Sequence, residues 1–179
     1  MTVHSRWWFI VVYAIGVWGC QDQSTGGMNH VPKQTISITD NEGWMVTPRR
    51  DDGYSQTHPS ATRCPFWVED GRLEIETGTC SFITLEQTST TDLKSNTPIR
   101  STLLFDTQSA KEGTAYFHFT VNGDRVWQTE VPLPTGPGFQ PIRFTLARDY
   151  PAGITLRLHF HNHGANMWRI LPFVIDDTP

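Results

Sequence analysis

From residue 35 onward the chain alternates apolar and polar positions in short runs. Ile36 and Ile38 alternate with polar neighbours, and Trp44, Met45 and Val46 form a brief apolar run. Residues 49–60 are polar and read as a loop. Leu73 and Ile75 alternate with Arg72, Glu74 and Glu76. After a turn at Thr77-Gly78-Thr79, residues 81–87 place Ile83 and Leu85 on one face. Ile99, Ser101, Leu103 and Phe105 line one face of the next run, and Ala115, Phe117, Phe119 and Val121 line another. A period of two is the signature of a strand with two different faces. Asn122-Gly123 is a two-residue hairpin signal, and residues 125–131 return from it. Residues 132–138 read as a Pro/Gly loop. Ile142, Phe144 and Leu146 alternate, Pro151-Ala152-Gly153 turns the chain, and Ile154, Leu156, Leu158 and Phe160 alternate again. Residues 167–175 make a closing strand. No stretch longer than about two turns carries the helical period. Eight or more antiparallel strands at this spacing predict an all-β, two-sheet antiparallel sandwich.

Composition agrees with that pattern. Only 18% of the 179 residues are charged and 12% are aromatic, with 14 Gly and 12 Pro. Few charges with many turn formers and aromatics suit strands rather than surface helices, and the apolar content suffices for a core, which excludes disorder. The length suits one domain. A net charge of −4 supplies no basic surface, so no nucleic-acid partner is expected.

The first residues differ from the rest. Arg6 precedes an apolar stretch, residues 7–16, too short to span a bilayer. Val17-Trp18-Gly19-Cys20 follows. These residues resemble the lipobox of bacterial lipoproteins: an aliphatic residue, a small residue directly before the cysteine, then Cys. The resemblance implies cleavage before Cys20 and acylation of its thiol, by palmitate-type chains, and of its new amine. Two or three such chains anchor a domain stably, at about 0.8 kcal/mol per buried CH₂. The chain then divides into a signal peptide (1–19), a Gly/Ser/Asn/Gln-rich tether (20–34) and a β-sandwich domain (35–177). The membrane is a partner through Cys20, and the expected location is the bacterial envelope. Gln21 in place of the Asp that retains lipoproteins in the inner membrane of enteric bacteria favours the outer membrane. With Cys20 acylated, Cys64 and Cys80 remain, and an even pair in an exported protein reads as a disulfide. Closing a loop of about 15 residues is worth roughly 3 kcal/mol.

The Asn122-Gly123 hairpin, the run 154–160 and a last strand with Trp168 near its start resemble the galactose-binding-like jelly roll of many carbohydrate-binding modules. The chain is also similar to envelope lipoproteins of predatory and environmental bacteria. This likeness implies a fold and an address, not an activity.

Residues 157–166 hold the densest candidate chemistry, Arg-Leu-His-Phe-His-Asn-His-Gly-Ala-Asn. The strand period puts Arg157, His159, His161 and His163 on the face opposite Leu158 and Phe160. His118, flanked by Phe117 and Phe119, joins them if its strand is a neighbour. Three uses are open: structural histidines, a ligand face of Tyr116, His118, Trp127, Arg157, His159 and His161, or a metal held by His118, His159, His161 and His163. The cupin pattern fails, because no carboxylate follows His-x-His within residues 162–169. Trp44 and Trp67 sit among apolar neighbours and read as core. Trp127 lies in a mixed hairpin and reads as half exposed, where it can stack on a sugar. No Gly-x-Ser-x-Gly, Walker A or dinucleotide motif is present, so no catalytic residue and no cofactor is assigned beyond that optional metal. The preferred function is a lipid-anchored, non-catalytic recognition module, with carbohydrate as the favoured ligand class. The alternatives are an envelope lipoprotein that binds another protein, and a metal-dependent enzyme on the His face.

Overall fold

The structure is a computed structural model that describes residues 36–39, 41–47, 64–162 and 164–175. The signal segment, Cys20, the tether, the loop at 49–60 and His163 lie outside the described residues. Twelve strands are described: β1 (Ile36–Ser37), β2 (Met45–Val46), β3 (Phe66–Glu69), β4 (Arg72–Glu76), β5 (Phe82–Thr88), β6 (Ile99–Phe105), β7 (Gln108–Val121), β8 (Asp124–Thr135), β9 (Gly138–Phe144), β10 (Thr155–His161), β11 (Met167–Ile170) and β12 (Val174–Ile175). A single short 3-10 turn, Asn41–Gly43, is the helical element among them.

All pairings are antiparallel, and they form two sheets packed as a sandwich of jelly-roll type. One sheet has five strands in the order β2-β5-β10-β7-β8. The other has seven. In it β6 takes β9 along one edge and β11 followed by β12 along the other, β4 and β3 continue beyond β11, and β1 lies beyond β12. The inner faces interlock through aromatic rings. Trp168 of the seven-stranded sheet meets Phe117 at 4.8 Å and Phe160 at 5.2 Å, both from the five-stranded sheet. Phe119 stacks on Phe173 at 4.2 Å. These rings are the centre of a core that also takes in Leu73, Ile75, Leu85, Leu103 and Leu158.

Asn122 and Gly123 have φ of 50° and 89°, the left-handed pair that a two-residue turn requires. Asp70-Gly71 does the same between β3 and β4, with φ of 49° and 72°. The disulfide Cys64–Cys80 spans a Cα separation of 5.2 Å, within the ordinary range. It ties the start of β3 to the turn before β5.

Three expectations need correction. Residues 132–138 are not a loop: β8 runs through Pro132 and Pro134 to Thr135. The prolines fit because β8 is an edge strand, where a missing N–H leaves no ladder unpaired. The closing strand is broken into β11 and β12 at Leu171-Pro172-Phe173, since Pro172 cannot donate to a ladder. Trp67 is not core. It stands on the outer face of edge strand β3, 36% exposed, while Phe66 and Val68 point inward.

Candidate functional site

The alternation along β10 places Leu156, Leu158 and Phe160 in the core and Arg157, His159 and His161 on the other side of the five-stranded sheet. Because β10 lies between β5 and β7, each of these faces two cross-strand neighbours. Arg157 stands between Glu86 and Thr120, His159 between Thr84 and His118, and His161 between Phe82 and Tyr116. The two strands carrying His118 and His159 are therefore direct neighbours, and their imidazoles stack at 4.8 Å with 23° between planes. Tyr116 tilts over His118 at 5.7 Å and Phe82 lies 6.3 Å from His159.

This packing corrects the picture of an open histidine face. His118, His159 and His161 are buried, His159 at 0% exposure, and Tyr116 and Phe82 flank the stacked pair His118 and His159. The Thr84 hydroxyl and His159 Nδ1 share a hydrogen bond of 2.7 Å. His159 is thereby closed off, while His118 lines the cleft described below. His163, the fourth member of the metal alternative, lies outside the described residues. Among the described residues, no group of three His, Cys, Asp or Glu is placed to hold a metal.

Trp127 is half-exposed, in line with its place in a mixed hairpin, but it does not share the face of Arg157. It is the register partner of Phe119, shares its face and packs half-buried against the core. It stands on the opposite side of the sheet from Arg157 and is no part of a ligand face with it.

What remains accessible on this sheet is its end near the Asn122-Gly123 hairpin. A cleft of about 470 Å³ is lined by His118, Thr120, Gly123, Arg125 and Arg157. A second of about 260 Å³ shares Gly123 and Arg157 and adds Glu86, Asn122 and Thr155. Arg157 is fixed by Glu86, its Nε donating to Oε1 at 2.6 Å. Arg125 is exposed, and its Nη1 donates to the Tyr116 hydroxyl at 3.1 Å and to Gln128 Oε1 at 3.4 Å. Tyr116 in turn donates to Gln128 at 3.2 Å. Two guanidiniums thus flank one polar cleft, each held by its own acceptors.

The hairpin beside the cleft is clasped from below. Asp124 accepts from the Tyr150 hydroxyl at 2.6 Å and from Arg148 Nη2 at 2.8 Å. The Tyr150 hydrogen bond, followed by that of Arg148, holds its carboxyl below the ordinary carboxylate range. Of the sequence candidates, Tyr116, His118 and Arg157 meet at or beside the cleft. Glu86, Thr120, Asn122, Arg125 and Thr155 were not singled out by the sequence. Arg125 was visible as a polar position right after the hairpin signal; the others depend on cross-strand register.

No family model matches the chain, and no curated protein is significantly similar to it in sequence. Solved structures that resemble it include a mutant carbohydrate-binding module of family 29, with 13% identity over 82% of this chain and 96% of that one, at a TM-score of 0.41. The N-terminal cellulose-binding domain of a Cellulomonas fimi β-1,4-glucanase C gives 16%, 79%, 90% and 0.44 in the same order. A family 29 module complexed with mannohexaose gives 13%, 81%, 92% and 0.41. Similarity this low assigns no ligand to the present chain.

Proposed function

We propose that the domain is a non-catalytic recognition module that binds carbohydrate in the cleft between Arg157 and Arg125. The observation that carries this reading is the pair of pre-positioned guanidiniums, with Thr155 and Asn122 lining the adjoining cleft. A sugar presents vicinal hydroxyls that need fixed donors and acceptors, and donors already held by the protein lose little entropy when they bind. Charged donors make the stronger hydrogen bonds. Hydrolysis of a glycosidic bond takes two carboxyl groups flanking it. Among the described residues that line the two adjoining clefts, Glu86 is the one carboxylate, and it is engaged by Arg157. Binding without turnover is therefore the better reading.

The test is a glycan array on the soluble domain from Thr35 onward, followed by calorimetry on the best glycan. Arg125→Ala, a change at an exposed side chain, should weaken that glycan about tenfold, the worth of a charged hydrogen bond, and leave the melting temperature unchanged. Absence of any glycan hit, or an Arg125→Ala variant that binds as well as the parent, would reject the cleft.

The same proposal places the domain at the bacterial envelope, held by acyl chains on Cys20. Its support is the Val17, Gly19, Cys20 pattern together with the disulfide, which suits an oxidising compartment. Cys20→Ser should move the protein from the detergent phase to the aqueous phase on partition. A variant that stays with the membrane contradicts the lipoprotein reading.

A further inference from the structure

The outer face of the seven-stranded sheet holds a second concentration of positive charge. Arg100 of β6 and Arg143 of β9 are direct register partners, and both side chains are exposed. Directly opposed residues on adjacent antiparallel strands hold their Cβ atoms about 4.5–5.5 Å apart, so both guanidiniums can reach one anion. Among the described residues no hydrogen bond or ion pair ties Arg143, whereas Arg100 has an interaction of its own. On the same sheet Arg169, by contrast, is bound by Glu74 at 3.2 Å and Asp106 at 2.7 Å. The two arginines line a cleft of about 390 Å³ with Pro98, Ile99, Phe144 and Thr145. This arrangement occurs in a chain whose net charge is −4, so it is not a sample of a generally basic surface.

A second feature lies on the same strand. Phe139, Pro141 and Arg143 point outward from β9 at alternate positions, and Phe139 is 65% exposed. Four residues of strand put Phe139 about 13 Å from Arg143. We propose that this strip is an anion subsite for an acidic glycan. One sugar ring stacks on Phe139, and a carboxylate or sulfate ester further along the chain bridges Arg143 and Arg100. The guanidinium fork matches the two oxygens of an oxyanion, which a lysine cannot do. The exposed aromatic favours a glycan over a bare anion, because a ring face adds stacking that inorganic sulfate cannot use. The site lies on the opposite sheet from the cleft of Arg125 and Arg157 and does not depend on it.

Calorimetry with hexagalacturonate on the soluble domain tests the proposal, with inorganic sulfate and phosphatidylglycerol vesicles as separate arms. Hexagalacturonate should bind, and more weakly as salt rises. Arg143→Ala should lose about tenfold in affinity, with the melting temperature of the parent because the side chain is exposed. Arg143→Lys should keep the charge and recover only part of the binding, Phe139→Ala should weaken binding severalfold, and Arg125→Ala should change nothing. Unchanged affinity in Arg143→Ala overturns the proposal, as does a lowered melting temperature, which would make Arg143 a residue that holds the fold. Sulfate binding as tight as hexagalacturonate reduces the site to a bare anion pocket. Vesicle binding that Arg143→Ala abolishes, with no binding of hexagalacturonate, makes the strip a lipid surface instead.

Discussion

Phe160→Ala is expected to cost about 3–5 kcal/mol, the usual cost of removing a fully buried ring and leaving a cavity. The ring has 0% exposure. It meets Phe117 at 4.3 Å within its own sheet and Trp168 at 5.2 Å across the sandwich. Trp168 also leans on Phe117 and on Phe105, so one ring lost loosens a four-ring contact between both sheets. A domain has about 5–15 kcal/mol of stability in all, which leaves the variant near the edge of folding. Urea unfolding measures this directly: the midpoint should fall while the slope stays that of the parent. A loss under about 1.5 kcal/mol, the range of a volume-conserving swap, would show that the sheets do not close over Phe160.

That prediction was visible in the sequence, since Leu156, Leu158 and Phe160 alternate with Arg157, His159 and His161 and a strand turns over at every residue. Alternation says which side a residue points to. It does not say what covers that side. His159 does point away from the core, yet it is buried, because β10 lies between two strands whose own rings close over it. Strand order joins segments far apart in the chain and has no local signature. Arg157 meets Glu86 71 residues away, and Arg100 meets Arg143 only once β9 has been set against β6. Trp67 shows the converse. Its apolar neighbours suggested the core, but with a period of two the residues beside an outward tryptophan are the inward ones. Turn chemistry is local and was legible at Asn122-Gly123. Asp70-Gly71 carries the same signal and makes the same turn.

Asn162→Ala is the second large effect, about 3 kcal/mol, and its cause is polar. Asn162 is buried at the end of β10. Its amide donates to the Thr77 hydroxyl at 2.6 Å and to the Gly164 carbonyl at 2.8 Å, and its carbonyl accepts from the Asn166 side chain at 3.1 Å. Thr77 closes the ring by accepting from the Asn166 backbone N–H at 3.1 Å, while its own N–H donates to the Asn166 carbonyl at 3.0 Å. This knot joins the end of β4 to the loop before β11 and sets the register of Glu76 against Met167 and Ile75 against Trp168. Alanine removes three bonds at once, each worth about 0.5–1.5 kcal/mol net. Thr77→Val should be costly too, and the double variant should cost less than the two added, because the residues share partners. Equilibrium unfolding of the two single variants and the double variant gives the coupling. Full additivity would mean that Thr77 and Asn162 act separately and that the knot is not one unit. With coupling, the register that carries Trp168 into the core rests on four polar groups at the mouth of the sandwich as well as on the rings inside it.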